Sequence, residues 1–294
     1  MSITSSIGAV SLRDAAIWRM RRGTLPLARP LVVGIVNLTP DSFSDGGRHL
    51  EPDRALAHAE RLVAEGAAML DLGAESTRPH TTPVSDDEEW RRLEPTLTGM
   101  VLRFPELPVS VDTVKATTAR RALDAGAWAI NDVSALRLDA GIADACAEHD
   151  AGLILMHSRG DVRTMATYEH ATYQDVTAEV SRELQAAVAL AQERGVPRGR
   201  LVLDPGLGFS KTPEQSYAAL AGLPSLAHHG LPLMIGPSRK RFLGAATGRD
   251  VAERDVATAA ACAIGWMLGA RLFRVHAVAP ARDALAVAQA AGRS

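Results

Sequence analysis

The stretch Leu107–Asp132, LPVSVDTVKATTARRALDAGAWAIND, holds one structural unit and the start of the next. Its apolar run Leu107–Val111 has the length of a strand and ends on Asp112. Thr113–Ala125 follows with helical spacing and stops at Gly126, and the apolar run Ala127–Ile130 then leads to Asn131. Apolar strand, helix, glycine at the helix end and a second apolar strand make the repeat of a parallel sheet. Such strands are buried on both faces and need crossover helices.

The same unit recurs on either side. Leu31–Val36 precedes Asn37, and Ala67–Leu72, with Asp71 inside it, precedes Glu75. Gly152–Met156 precedes His157, Leu201–Leu203 precedes Asp204, Leu231–Ile235 precedes Gly236 and Ser238, and Arg271–Val275 precedes His276. Between them, Pro52–Glu65 sets Ala55, Leu56, Ala59, Leu62 and Val63 at helical spacing and stops at Gly66. Asp175–Arg194 stops at Gly195 and Asp255–Leu268 at Gly269. About eight strands in 294 residues, each ending on polar residues, favour a closed barrel over an open doubly wound sheet. The expected fold class is therefore α/β, a (β/α)8 TIM barrel in a single domain over residues 31–294. Residues 1–30 are left as a short N-terminal lead-in, long enough for a hairpin capping the barrel bottom.

Composition narrows the function. Apolar residues make up 47% of the chain, enough for a large core, and a net charge of −2 argues against a general affinity for nucleic acid or an anionic membrane. No run of about 18 apolar residues offers a membrane span, and the first residues lack the pattern of a secretory signal. Cys146 and Cys262 are far apart and lack zinc-ligand spacing, so both read as small buried apolar residues. A cytoplasmic protein is expected. His149, His228 and His229 read as surface residues without partners.

In a barrel the chemistry sits on the loops after the strands. The first such loop, Asn37–Gly47, carries an amide, several hydroxyls and the carboxylates of Asp41 and Asp45 beside Phe43, the composition of a mobile lid. Asn37 could ligand a Mg²⁺-diphosphate, and Asp41 or Asp45 could meet the metal or an incoming amine. In the second loop, Glu75–Pro79, Arg78 offers a forked donor to phosphate or carboxylate. Asp112, Asn131 and Asp204 end the third, fourth and sixth strands. Singly each would read as a helix cap; together they form a rim able to hydrogen-bond a flat heterocycle with ring N–H and amino groups. Asp204–Lys211, DPGLGFSK, lacks the spacing of a nucleotide phosphate loop; its glycines let backbone and Phe209 approach a planar ligand. Ser238–Arg241 sets Lys240, one of three lysines with Lys115 and Lys211 in an arginine-dominated chain, at a strand end where a point-charge donor suits one ring oxygen or nitrogen. Arg274 and His276 alternate after the eighth strand and so face one side, where barrels often bind phosphate.

These segments have a family likeness. GIVNLTPDSFSDGG (Gly34–Gly47) and ESTRP (Glu75–Pro79) resemble the two signature loops of dihydropteroate synthases. SVDT (Ser110–Thr113), INDVSA (Ile130–Ala135), DPGLGF (Asp204–Phe209), SRKRFLG (Ser238–Gly244) and RVH (Arg274–His276) follow in the family's order. The resemblance implies a pterin-binding (β/α)8 barrel, a homodimer, Mg²⁺, and the substrates pterin diphosphate and 4-aminobenzoate. By position, Asp112, Asn131, Asp204 and Lys240 would bind the pterin, Met156 and Phe209 would line its pocket, and Arg274 would pack over the ring. Asn37, Arg274 and His276 would hold the diphosphate with Mg²⁺, to which Asp45 is a further candidate ligand. Phe43, Ser44, Asp45, Thr77 and Arg78 would shape the aminobenzoate site, with Lys240 and Arg241 near the carboxylate. The catalytic set implied is Asp112, Asp45, Arg274 and His276.

Three positions depart from the family pattern: Ala277 stands where Asp is common, His80 where Gly is common, and Ser158 where Met or Asn often occurs. They leave the pterin ligands intact and bear on loop mobility and sulfonamide affinity. Two other functions fit a pterin barrel. One is a pterin-dependent methyltransferase, which has no use for a diphosphate site or the two lids. The other is a catalytically silent pterin-binding paralogue, expected to have lost Asn37, Asp45, Arg78 or His276; all four are present.

Overall fold

Eight parallel strands curl into a barrel in the computed structural model, which describes residues 17–38, 50–76 and 81–292. A two-stranded hairpin comes first, β1 (Ile17–Met20) and β2 (Gly23–Pro26). The barrel strands are β3 (Leu31–Asn37), β4 (Met69–Gly73), β5 (Val109–Asp112), β6 (Ala129–Asp132), β7 (Gly152–Met156), β8 (Leu201–Asp204), β9 (Met234–Ile235) and β10 (Leu272–Val275). Strands β3 to β8 pair in sequence order, β10 pairs with both β9 and β3, and a bridge between Leu203 and Leu233 joins β8 to the start of β9. The expected barrel is thus present. Its seventh strand is only two residues long where Leu231–Ile235 was expected. Pro232 has no N–H for a ladder, although its carbonyl accepts the Leu203 N–H at 3.0 Å.

Ten helices among the described residues cover the barrel: α1 (Leu50–Ala64), α2 (Asp86–Arg103), α3 (Ala116–Asp124), α4 (Gly141–Glu148), α5 (Val176–Glu193), α6 (Pro213–Ala221), α7 (Leu223–Ala227), α8 (Arg241–Thr247), α9 (Asp255–Met267) and α10 (Val278–Ala291). Their starts are written locally. Ser85 accepts the Glu88 N–H ahead of four acidic residues in the first turn of α2, Asp175 caps α5, and Thr212 with Gln215 forms a capping box on α6. At the junction of α3 and β6, Gly126 takes φ 108°, a backbone turn that other residues resist, and Gly66, Gly195 and Gly269 do the same at their own junctions. No helix among the described residues is long and apolar enough to cross a membrane.

Alternation along each strand sorts side chains between two spaces. Outward residues such as Val32, Val36, Leu70, Leu72, Val111 and Ile130 pack under the helices. Inward residues change character with height. At the bottom, Val33, Met69, Ala129, Ile154, Val202, Met234 and Leu272 form a second apolar cluster, closed by Trp18, Met20 and Leu27 from the hairpin region. Trp18 is fully buried there, and its indole N–H donates to the Arg200 carbonyl at 2.9 Å. Two residues further along the same strands, the inward positions are occupied by Asp71, Asn131, Asp204 and Arg274. An apolar bottom and a polar mouth follow from one period-2 register.

Candidate active site

A cavity of about 300 Å³ opens at the C-terminal mouth of the barrel. Asn37, Asp112, Asn131, Met156, Asp204, Phe209, Lys240, Arg274 and His276 all line it, so the candidate residues of seven separate segments meet in one place. Asp41, Phe43, Ser44, Asp45, Thr77, Arg78 and His80 lie outside the described residues.

Arg274 organises the floor. Its Nε donates to Asp71 Oδ2 at 2.5 Å and its Nη2 to Asp112 Oδ2 at 2.9 Å. Asp71 also accepts from the Ser110 hydroxyl at 2.5 Å and from the Asn131 amide at 3.2 Å. Asp71 therefore fixes both Arg274 and Asn131, a role the sequence did not reveal. The signal was there, since a carboxylate inside a strand buried on both faces must find donors.

Burial pushes the Asp112 carboxyl upward; Arg274 opposes the rise and the charge on Asp71 adds to it. Burial also takes Asp204 up to about 6, against the Gly206 N–H, which donates to Asp204 Oδ1 at 2.7 Å, and against the Lys240 charge. Lys240 is pushed down to about 7 by burial and by Arg274, with Asp204 and Asp112 pulling it back. Its ammonium lies 3.7 Å from the centre of the Phe209 ring. Carboxylates, an amide and an ammonium around an aromatic and a thioether form a donor and acceptor set for a flat, nitrogen-rich ring.

Above the floor, Asn37 Nδ2 and His276 Nε2 are 3.5 Å apart. Burial and the neighbouring Arg274 drive His276 down to about 3, so its imidazole is neutral. The Ser238 oxygen accepts the His276 backbone N–H at 3.1 Å and sits 2.8 Å from Nδ1. Ser238 and the Asn37 amide thus hold the neutral ring from its two nitrogens. Asn37, His276 and the neighbouring Arg274 charge make this space suit an anionic oxygen.

The basic cluster after β9 divides. Arg239 is held by Asp255 in a bidentate pair at 2.7 and 2.8 Å, Lys240 turns into the cavity, and exposed Arg241 stacks on Tyr168 with its guanidinium 4.3 Å from the ring centre. Glu75, at the root of the second loop, meets Lys115 at 3.0 Å and accepts the Val84 N–H at 2.8 Å. Lys115 also reaches fully buried Glu89 at 2.9 Å. Two of the histidines expected to lack partners have them: His149 contacts Asp124 at 2.8 Å, and His229 the Ser181 hydroxyl at 2.8 Å. Both cysteines are buried free thiols, as expected.

No group of three or more His, Cys, Asp or Glu side chains among the described residues could enclose a metal ion. Asn37 offers a single hard oxygen beside the anion position, which fits a Mg²⁺ brought in by a diphosphate rather than one caged by protein.

Comparison with known proteins agrees with this geometry. The sequence model of the pterin binding enzyme family matches residues 33–276. Dihydropteroate synthase of Mycobacterium leprae is 43% identical over 269 residues, 90% of this chain and 94% of that protein. The mitochondrial folate synthesis bifunctional protein of Pisum sativum is 44% identical over 275 residues, 89% of this chain but 53% of that protein, so the chain spans about half of that longer relative. Among solved structures, Xanthomonas albilineans dihydropteroate synthase with 4-aminobenzoic acid superposes with a TM-score of 0.88 at 44% identity, covering 95% of this chain and 99% of its own. With the family match spanning the barrel and its cavity, the chain belongs to the dihydropteroate synthase family of pterin-binding enzymes.

Proposed function

We propose that this chain condenses 6-hydroxymethyl-7,8-dihydropterin diphosphate with 4-aminobenzoate, giving 7,8-dihydropteroate and diphosphate, a transferase step of folate biosynthesis. The observation that carries the reading is the network joining Asp71, Asp112, Asn131 and Arg274, with Asp204 and Lys240 beside it in one cavity. Asp204 and Asp112 would accept from the ring N–H and amino groups, Asn131 would both donate and accept, and Lys240 would donate to a ring oxygen or nitrogen. Phe209 and Met156 would contact the ring faces.

The bond to the diphosphate breaks first, leaving a cation conjugated with the pterin, in the manner of an SN1 reaction. Arg274 and His276 would stabilise charge on the departing group, with Asn37 orienting it. Bound Mg²⁺ would add Lewis-acid charge neutralisation there, with Asn37 as one ligand and Asp45 a further candidate. Asp112 would favour the cationic pterin through its charge. The neutral aniline nitrogen of 4-aminobenzoate then attacks, and its proton is lost once the C–N bond has formed, so orientation supplies much of the rate. Arg241 and Lys240 would address the carboxylate of 4-aminobenzoate, and Phe43, Ser44, Thr77 and Arg78 would close over it.

The reading extends to a homodimer, supported by exposed apolar Val256, Ile264 and Met267 on α9. It also extends to a cytoplasmic location, supported by the two unpaired thiols. Purified protein given both substrates and Mg²⁺ should form 7,8-dihydropteroate and diphosphate one for one. Tight pterin binding without product would instead favour a non-catalytic pterin-binding chain.

A further inference from the structure

Behind the cavity floor lies a buried lysine that is not itself part of the cavity lining. Lys211 is 1% exposed, one of the largest fully buried side chains described. Its ammonium meets three acceptors: the Phe209 carbonyl at 3.1 Å, the Gly206 carbonyl at 3.2 Å and His157 Nδ1 at 3.0 Å. Burial pushes Lys211 down to about 7, with the Asp204 charge pulling it back, and in its charged form the three contacts satisfy its three N–H groups. They also fix the imidazole: with Nδ1 accepting, Nε2 carries the proton and donates to Glu183 Oε2 at 2.9 Å. Burial and the Lys211 charge hold His157 down at about 4, in keeping with a neutral ring.

Glu183 stands on α5 and is itself gripped by Arg159, whose Nε is 3.3 Å from Oε2 and which also binds Glu179 at 2.8 Å. A chain of polar contacts therefore runs from α5 through His157 to the turn Pro205–Phe209. That turn is the back of the cavity floor. Its Gly206 N–H holds the Asp204 carboxylate, its Gly206 carbonyl accepts the Phe209 N–H at 3.0 Å, and its Phe209 ring carries Lys240. The turn is also a demanding one. Gly206 has φ 67°, a Cβ there would lie 1.9 Å from the His157 carbonyl oxygen, and Ser210 is left-handed at φ 47°. Such a backbone persists only where its surroundings hold it.

Resting on the pterin reading of the cavity, we propose that Lys211 is a positioning residue for pterin binding. Its ammonium, oriented by His157 and Glu183, ties down the Gly206 and Phe209 carbonyls so that Asp204 and Phe209 present one fixed face to the ring. The role falls chiefly on the pterin: the chain of contacts reaches neither Arg241 nor the roots of the two loops, and touches Lys240, shared with 4-aminobenzoate, only through the Phe209 ring.

The test uses the full-length protein with three variants: Lys211→Met, Lys211→Gln and Glu183→Gln. Binding of 6-hydroxymethylpterin is measured by fluorescence, KM is determined for each substrate, and thermal melts are recorded. Losing hydrogen bonds to a charged group predicts that Lys211→Met weakens pterin affinity and raises the pterin KM by about 10- to 100-fold. The 4-aminobenzoate KM should stay within about twofold, and Lys211→Gln, which keeps two donors, should recover part of the loss. Glu183→Gln, remote from the cavity, should raise the pterin KM by about 3- to 10-fold with the same selectivity, and decides the matter if both Lys211 variants fail to fold. Pterin affinity within twofold of wild type in a folded Lys211→Met, or equal loss for both substrates in step with the melting temperature, would overturn the proposal. Direct pterin binding does not depend on turnover. A wild-type protein that binds pterin but makes no dihydropteroate would refute the proposed reaction while leaving this test intact.

Discussion

Replacing Asp71 by Asn removes one charge from the cavity floor and changes little else in size. Asp71 Oδ2 accepts from Arg274 at 2.5 Å and from Asn131 at 3.2 Å, so an amide at this position brings an N–H against donors or leaves one of them unmatched. Removing one partner of a buried ion pair costs about 3–5 kcal/mol. Arg274 keeps Asp112 at 2.9 Å and its side chain is 19% exposed, which discounts that figure. About 2–3 kcal/mol should remain, a loss of about 30- to 140-fold in kcat/KM for the pterin substrate. A second effect has the opposite sense. The Asp71 charge helps to raise the Asp112 carboxyl, so Asp71→Asn should move the acidic limb of the pH–rate profile downward as Arg274 turns wholly to Asp112. The assay is steady-state kinetics from pH 5 to 9, with a melt to confirm folding. A folded Asp71→Asn that keeps kcat/KM within threefold and an unmoved acidic limb would refute the assignment of Asp71 as the residue fixing Arg274.

Three further outcomes are expected. His276 and His157 are held at about 3 and about 4, below the ordinary value near 6.5, so each contributes stability that is present above that value and lost as pH falls below it. The stability advantage of wild type over His276→Gln, from urea unfolding, should therefore shrink between pH 6.5 and 4; a constant difference would show the ring is not held neutral. Gly206→Ala should cost more than about 3 kcal/mol, because its Cβ meets a backbone oxygen in a left-handed turn, whereas Gly248→Ala, equally left-handed but in open space, should cost about 1 kcal/mol. Arg241→Ala should raise the 4-aminobenzoate KM about 10-fold and leave pterin binding unchanged, for loss of a charged hydrogen bond; titration of each substrate in turn separates the two.

The barrel was legible because its signals are local. Apolar runs of strand length, glycines at the helix ends and a polar residue after each strand all lie within a few positions of one another. Helices α2 and α10 were harder to read: α2 carries Pro95 inside it, and α10 is alanine-rich with no side-chain cap. The cavity residues at strand ends were legible from the same register, since barrel geometry brings successive strand ends to one mouth. Residues acting through pairs distant in sequence were not. Asp71 and Arg274 are separated by 203 positions and Lys211 and His157 by 54, and no local pattern links them. Arg239 and Lys240 are adjacent and both basic, yet one is spent on Asp255 and the other faces the cavity, a division set by the left-handed turn at Arg239 (φ 54°).

The most direct test is a crystal structure of the protein with a pterin diphosphate bound. The account predicts the ring inside the barrel mouth with its polar edge on Asp112, Asn131, Asp204 and Lys240, Arg274 over it, and the diphosphate between Asn37 and His276. A ring seated instead at the rim against Tyr168 and Arg241, with no contact to Asp112, Asn131 or Asp204, would contradict it.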